Sequence, residues 1–237
     1  MNKGTLFLIP CSLGESDLDF ILPAKVKTVI QSLDEFIVEN EKTARKFLKE
    51  VGITIPQSQL IIHEIDKHNP QFNYSDILKI CETGKNIGLL SEAGVPAVAD
   101  PGALVVKKAH EKNIRVVPLV GPSSILLALM ASGMNGQQFC FHGYLPKEKD
   151  TLIQKIKFLE KESQQKNQTQ IFIETPYRNN QLFSEILKIC DAQTFLCIAT
   201  DITLDSEKII TKKIGDWKKT FPDLSKKPTV FLIYSSN

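Results

Sequence analysis

The chain is expected to fold as two α/β domains, the first built on a mostly parallel sheet and the second on a mixed one. Three observations carry this expectation. At 237 residues the chain exceeds the usual single-core domain of roughly 100–150 residues. Its first half alternates short runs rich in β-branched and aromatic residues with helix-period segments, the pattern of βαβ units. Its second half ends in strand-like runs joined by short connections rather than full helices, so some of the pairing there is antiparallel. The boundary is placed near residues 120–121, giving domains 1–120 and 121–237.

In the first half, residues 5–10, 35–39, 87–90 and 115–120 are read as strands because apolar and β-branched side chains dominate them. The segment 40–51 illustrates the helices between them. There Ala44, Phe47, Leu48 and Val51 recur at spacings of three and four, opposite Lys42, Arg45, Lys46 and Lys49, and Gly52 stops the helix. Beyond residue 120 the reading is helix 123–131, strand 139–142, helix 151–160, strand 169–174 and helix 178–190, followed by strands 194–200, 208–214 and 229–234. The polar run 160–170 is read as a surface loop or frayed helix end. No internal repeat is present.

Charged residues make up 24% and apolar residues 42% of the chain, an ordinary globular balance. The net charge of +2 neither demands nor excludes a nucleic-acid partner, because a local patch matters more than the sum. The five cysteines, Cys11, Cys81, Cys140, Cys190 and Cys197, show no C-x-x-C spacing and mostly lie in apolar runs, which reads as buried reduced thiols. No signal peptide and no membrane-spanning run is recognisable, so a cytoplasmic protein is expected.

Two loops stand where an apolar strand gives way to a helix. They are Ser91-Glu92-Ala93-Gly94-Val95-Pro96-Ala97-Val98-Ala99-Asp100-Pro101-Gly102 and Gly121-Pro122-Ser123-Ser124. Open α/β sheets bind ligands at such carboxyl ends of strands. Local structure accounts for part of each loop, since Asp100-Pro101 is a usual way to open helix 103–111 and serines at a helix start cap free N–H groups. The small residues of the first loop also let a ligand approach the backbone. A third strand end, Glu174-Thr175-Pro176-Tyr177-Arg178, brings a carboxylate, an aromatic ring and a guanidinium within five residues.

Other motifs are weak or missing. There is no G-x-G-x-x-G, no P-loop and no G-x-S-x-G elbow. His63 and His68 flank two acids but are five apart, not the four that put both on one helix face, so no metal is assigned. Seven lysines lie between Lys208 and Lys227; a solvated surface is the commoner reason for such a run, and contact with a phosphate backbone is the alternative.

The motifs in sequence order resemble the tetrapyrrole methylase superfamily of S-adenosylmethionine-dependent methyltransferases. The most similar branch methylates a cytidine ribose 2′-hydroxyl in small-subunit ribosomal RNA. The resemblance runs from Thr5 to about Tyr234. It is carried by Leu8-Ile9-Pro10-Cys11-Ser12-Leu13-Gly14, the loop 91–102, Val117-Pro118-Leu119-Val120-Gly121-Pro122-Ser123-Ser124, Phe141-His142-Gly143-Tyr144-Leu145-Pro146-Lys147 and Ile173-Glu174-Thr175-Pro176-Tyr177-Arg178.

The resemblance implies S-adenosylmethionine in a cleft between the two domains. Carried over by motif, its contacts are Pro10, Leu13, Ser91, Glu92, Val95, Pro96, Ser123 and Ser124 in and beside the first domain, with Glu174, Ile202 and Thr229 from the second. It further implies ribosomal RNA as partner and a homodimer; the sequence itself leads us to expect no membrane and no metal. Several motifs depart from the branch. Pro10-Cys11-Ser12-Leu13-Gly14-Glu15 stands for P-T-P-I-G-N, Glu39-Asn40-Glu41-Lys42 for E-D-T-R, Ser91-Glu92-Ala93-Gly94 for S-D-A-G, and Ala199-Thr200-Asp201-Ile202-Thr203-Leu204 for A-R-E-L-T-K. Two family arginines are therefore missing, and the sequence stops after its last strand without the small helical domain many relatives carry.

The activity implied is direct displacement of the sulfonium methyl by an acceptor held in line. A hydroxyl acceptor needs a proton acceptor, and Glu39, Glu41 and Glu174 are all available; none is chosen from sequence. Glu39 and Arg178 are taken as substrate contacts. Two other readings stay open: a methyltransferase of the same superfamily acting on a small molecule or protein, and a non-catalytic protein that binds S-adenosylmethionine or RNA.

Overall fold

The computed structural model describes residues 3–65 and 73–235. The chain divides into two compact units, Met1–Ser123 and Ser124–Asn237. In the first, strands β1 (Thr5–Ile9), β2 (Glu35–Val38), β3 (Ile61–Glu64), β4 (Ile87–Leu90) and β5 (Arg115–Pro118) form one sheet in the order β3-β2-β4-β1-β5. Every pairing in it is parallel. Helices α1 (Leu18–Ile21) and α2 (Ala24–Gln31) follow β1, α3 (Glu41–Val51) follows β2, α4 (Tyr74–Ile77) and α5 (Lys79–Glu82) follow β3, and α6 (Gly102–Glu111) follows β4.

The period-two alternation of the strands sorts their side chains onto two faces. Ile9, Phe36, Val38 and Leu90 pack with Val26, Ile30, Phe47 and Leu48, whereas Leu6, Ile37, Ile87 and Leu89 pack with Leu78, Cys81, Val105 and Ala109. Helices after β1 and β2 therefore cover one face, and helices after β3 and β4 cover the other. Covered on both sides, β2 and β4 are buried along their whole length, and this makes them continuous apolar runs in sequence. Adjacent strands β2 and β4 consequently send their chains to opposite faces, which opens a crevice at their carboxyl ends.

Helix α3 forms as its sequence requires. The Asn40 side chain accepts from the Thr43 amide, Ala44, Phe47, Leu48 and Val51 are buried, and Gly52 ends the helix at φ 82°. Glu64 of the neighbouring strand accepts from the Glu41 amide at 2.8 Å, so a second free N–H of the first turn is satisfied.

In the second unit, β6 (Phe139–Tyr144), β7 (Thr169–Ile173), β8 (Phe195–Thr200), β9 (Lys208–Lys213) and β10 (Thr229–Tyr234) are ordered β6-β7-β10-β8-β9. Only β6 and β7 are parallel, so this sheet is mixed. Helices α8 (Lys149–Lys166) and α9 (Asn179–Ile189) set Ile156, Leu159, Phe183 and Ile186 against Phe172, Ile198 and Phe231. Trp217, in the short helix α10 (Ile214–Trp217), closes that core. Its indole donates to the Leu196 carbonyl at 2.9 Å, and Phe183 meets it edge-on at 5.6 Å. Helix α7 (Ser124–Ser132) lies against β9 and β10.

Some expectations are corrected. The polar run 160–170 is neither a surface loop nor a frayed helix end. Helix α8 continues to Lys166 and ends on Asn167 in the left-handed conformation, with Ser163 buried and accepting from the Ser235 amide at 2.9 Å. The exposed polar residues up to Lys166 are the solvent face of that helix, and Thr169 and Gln170 are buried in β7. Strand β3 is not foreseen in sequence because it is short, at the sheet edge and half-exposed. It carries His63, whose Nε2 lies 2.7 Å from Glu35 Oε1. His68 lies outside the described residues, and no cluster that could hold a metal ion exists among those described. No helix among them is long and apolar enough to cross a membrane.

His142 of β6 supplies a pH prediction. Burial lowers its pKa, opposed by the hydrogen bond between its Nε2 and Gln170 Oε1 at 2.6 Å. The unfolded chain therefore binds a proton near pH 6.5 that the folded one refuses, and stability falls as pH drops through that value. Between pH 7 and pH 5, His142→Gln is expected to lose less of its melting temperature than the parent protein. Equal losses would show that His142 does not carry this dependence.

Candidate functional site

Three loops meet at the carboxyl end of the parallel sheet. Cys11, just past β1, and Gly94, past β4, exchange backbone hydrogen bonds at 2.8 and 3.1 Å. Gly94 has φ 73°, and a Cβ there would stand 3.3 Å from Leu13 and 3.6 Å from the Pro122 carbonyl oxygen. The loop after β5 joins through Gly121, where a Cβ would fall 2.2 Å from Pro10 Cγ. Gly94 is thus a point at which the loops after β1, β4 and β5 converge, and its positive φ is a conformation that glycine adopts without strain.

The loop after β4 is held by its own side chains. The Ser91 hydroxyl donates to the Gly94 carbonyl at 3.0 Å. Asp100 Oδ1 accepts from the amides of Ala97 at 2.8 Å and Gly102 at 2.7 Å, opening helix α6 from one residue before the Pro101 cap. Ala97 and Ala99 are held at φ 67° and 62°, a conformation that costs an alanine about 1–2 kcal/mol. Such strain persists where surrounding structure over-determines it, as at ligand sites.

Beside these loops lies a cavity of about 520 Å³, lined by residues 11–16, by Ser91, Glu92 and Ala93, and by Thr43, Ala44, Lys46, Phe47 and Glu50 of α3. It occupies the crevice that the diverging chains of β2 and β4 create. Across it the Thr43 hydroxyl donates to Glu92 Oε1 at 2.7 Å, and the Glu92 amide donates to Glu39 Oε1 at 3.3 Å. Lys46 reaches Glu15 at 3.4 Å and Glu50 at 3.8 Å. Burial, with the Glu92 charge second, pushes the Cys11 thiol far above the ordinary cysteine range. Cys11 is therefore a small apolar wall of the cavity and not a nucleophile.

The second unit has its own gathering of polar groups. The antiparallel register sets Thr229 opposite Thr200 and Val230 opposite Ile173, so Glu174, Thr229 and the turn from Asp201 share one sheet edge. Glu174 is buried; its Oε1 accepts from the Thr175 amide at 2.7 Å. Its Oε2 has no hydrogen-bond partner, although Arg178 Nη2 stands 3.3 Å away without the alignment of a hydrogen bond. Asn179, fully buried, donates to the Lys227 carbonyl at 2.8 Å and to the Thr229 hydroxyl at 3.0 Å. The turn after β8 holds Asp201 at φ 51° and Thr203 at φ 72°, the latter an uncommon conformation for a β-branched residue. Ile202 between them is buried.

No family model matches the chain. It is similar to the ribosomal RNA small subunit methyltransferase I of Bacillus subtilis, with 30% identity over 91% of this chain and 69% of the relative. The chain belongs to the ribosomal RNA small subunit methyltransferase I family. A Buchnera aphidicola member is 29% identical over 98% of this chain and 79% of its own length. In fold, the methyltransferase CobJ superposes with a TM-score of 0.64 over 98% of this chain and 94% of its own, at 15% identity. The tetrapyrrole methylase architecture expected from sequence, two α/β domains with one parallel and one mixed sheet, is that of this family, and the chain is a methyltransferase.

Against that family background the individual residues fall as follows. Leu13, Ser91 and Glu92 line the cavity, and Glu39 touches its rim through Glu92. Pro10 is packed beneath Gly121, and Val95 and Pro96 continue the strained loop. Ser123 and Ser124 stand at the start of α7. Glu174, Ile202 and Thr229 belong to the edge of the second sheet. Sequence reasoning did not single out Thr43, Lys46 or Glu50, which lie on the polar face of α3, nor Asn179, a buried polar residue in a helix. The Asn40-x-x-Thr43 spacing marks the first turn of α3 in sequence but carries no sign that this turn faces the crevice.

Proposed function

We propose that this chain transfers a methyl group from S-adenosylmethionine to a ribose 2′-hydroxyl of small-subunit ribosomal RNA. Membership in the methyltransferase I family supports this reading, and the observation that carries it is the cavity at the diverging ends of β2 and β4. Its volume lies within the range of about 300–1,000 Å³ usual for small-molecule sites. Glu15, Glu50 and Glu92, against Lys46 alone, suit a ligand that carries an ammonium, a sulfonium and ribose hydroxyls. When bound, that donor supplies a methyl already activated on a positively charged sulfur.

The proposed donor contacts in the first unit are Pro10, Leu13, Ser91, Glu92, Val95, Pro96 and Ser123. Ser124, Glu174, Ile202 and Thr229 are those of the second. As the acceptor oxygen forms its bond to carbon and the sulfur–carbon bond breaks, the hydroxyl proton must leave. Of the three carboxylates available, Glu41 is held by Arg45 at 2.7 Å, and Glu174 is buried on the Thr175 amide. Glu39, half-buried at the cavity rim, is the proposed proton acceptor. Arg178 is proposed to contact RNA. We place the protein in the cytoplasm as a homodimer; the exposed Leu126 and Met130 of α7 favour a second copy as partner.

The test is calorimetric titration with S-adenosylmethionine, followed by transfer of labelled methyl to unmodified small-subunit RNA. Glu39→Gln is expected to bind the donor within twofold of the parent and to transfer methyl at least 100-fold more slowly, the usual scale for loss of a general base. Unchanged transfer removes Glu39 from the role. A folded parent protein that binds no donor overturns the reading as a whole.

A further inference from the structure

We infer that the corner of the second unit formed by Tyr177, Arg178, Lys226 and Lys227 is a contact surface for single-stranded RNA. The inference rests on the proposed RNA substrate and adds where, and in what form, the strand is met. Tyr177 is 83% exposed, an aromatic ring standing in water between the end of β7 and the start of α9. Nothing in the packing of the unit accounts for that position, since the core closes beneath it at Asn179, Leu182 and Phe183.

The basic residues are brought to this ring by a specific attachment. The Lys226 amide donates to the Pro176 carbonyl at 3.3 Å, next in sequence to Tyr177. Asn180 clasps the same loop, donating to the Ser225 hydroxyl at 2.9 Å and accepting from the Leu224 amide at 3.0 Å, while Asn179 holds the Lys227 carbonyl. Lys226 itself sits at φ 59°, an uncommon conformation for lysine. The nearby Asp223 carboxylate is engaged by the Ser225 amide at 3.0 Å and by Asn180 at 3.4 Å. A surface fixed in this way loses little conformational freedom on binding.

Three other lysines of the basic run are engaged elsewhere. Lys212 lies over Trp217 at 4.9 Å, Lys213 over Phe195 at 5.7 Å, and Lys219 pairs with Asp216 at 3.2 Å. Lys226 and Lys227 form no ion pair among the described residues. An exposed ring flanked by lysines matches the needs of an unpaired strand, whose bases can stack on an aromatic face while lysines follow the phosphates. A duplex keeps its bases stacked on each other and has no use for the ring.

The test is fluorescence anisotropy with a labelled 20-nucleotide single-stranded RNA of mixed sequence, repeated with the same sequence as a duplex and over a range of salt. Tyr177→Ala is expected to weaken single-strand binding about 5- to 100-fold, with Tyr177→Phe close to the parent. The double variant Lys226→Ala, Lys227→Ala is expected to lower the slope of log affinity against log salt by about 1.4, that is about 0.7 per phosphate contact. Parent-like affinity in Tyr177→Ala, or an equal loss on duplex, overturns the stacking surface. An unaltered slope in the double variant overturns the phosphate contacts. Donor binding and methyl transfer by the parent protein are measured alongside. If both persist while Tyr177→Ala binds RNA normally, this surface is wrong and the proposed reaction stands; if the parent neither transfers methyl nor binds RNA, the proposed reaction has failed first.

Discussion

Gly94→Val is expected to weaken binding of S-adenosylmethionine at least tenfold while leaving the second unit folded. At φ 73° an L-residue pays a steric penalty of about 1–2 kcal/mol, and a β-branched one is a true outlier. The new Cβ would also press on Leu13 at 3.3 Å, before the valine methyls are placed. Leu13 can yield at its flexible end, so the strain falls chiefly on the backbone at φ 73°, and relieving it there disturbs the pair of Cys11–Gly94 backbone bonds between the loops after β1 and β4. Because those loops form the wall of the cavity, a shift of a few tenths of an ångström is enough to spoil donor contacts. Gly94→Ala should show the same effect in milder form. Calorimetric titration with S-adenosylhomocysteine reads the outcome: at least a tenfold loss for valine and a smaller one for alanine. Undiminished affinity in a folded valine variant would mean that the donor does not rest on these loops.

The same glycine shows how much of the site can be read in sequence. Gly94 lies in a run of small residues after a fully apolar strand, and that context alone marks a backbone a ligand could approach. Helix α3 is equally legible, from Asn40 at one end, Gly52 at the other and the apolar period between. What sequence does not show is that α3 points its first turn at Glu92. That follows from the strand order β3-β2-β4-β1-β5, in which β4 inserts between β1 and β2 and sets residues about fifty positions apart across one crevice. Thr43, Lys46 and Glu50 therefore look in sequence like any solvated helix face. Strand β3 is hidden for a different reason: four residues at a half-exposed edge give too little alternation to distinguish them from a loop. The polar stretch at the end of α8 misleads in the opposite sense, because beyond Ile156 and Leu159 the inner face of the helix is carried by a polar residue, the buried Ser163.

Asn179 is the residue most at odds with its sequence context, and its replacement is expected to have the largest effect on stability in the second unit. An amphipathic reading of α9 gives no reason to bury an amide, yet Asn179 is fully buried at the helix start. Its Nδ2 donates to Lys227, to Thr229 and, at 3.4 Å, to the Leu224 carbonyl, whereas its Oδ1 has no partner. The donor half of the side chain thus carries its contribution. Asn179→Ala removes that donor, while the Leu224 carbonyl keeps the Lys227 amide and the Lys227 carbonyl keeps the Thr229 hydroxyl, so the loss is about 0.5–1.5 kcal/mol per hydrogen bond and does not vary with pH. Asn179→Asp goes further, since it aims a carboxylate at those carbonyls. Burying an uncompensated charge costs about 3–5 kcal/mol. The buried carboxyl would have its pKa raised above the unfolded value of about 3.9, so the variant loses stability as pH rises from there until the folded group ionises. In acid a protonated carboxyl can donate one hydrogen bond in place of the amide, and the deficit should narrow. Urea denaturation at pH 7 and pH 5 separates the cases: aspartate worse than alanine at pH 7, with the gap reduced at pH 5. If aspartate were tolerated as well as asparagine at both values, the amide would not be what ties the 224–229 segment to α9. The rigidity attributed to the Lys226–Lys227 corner would then need another source.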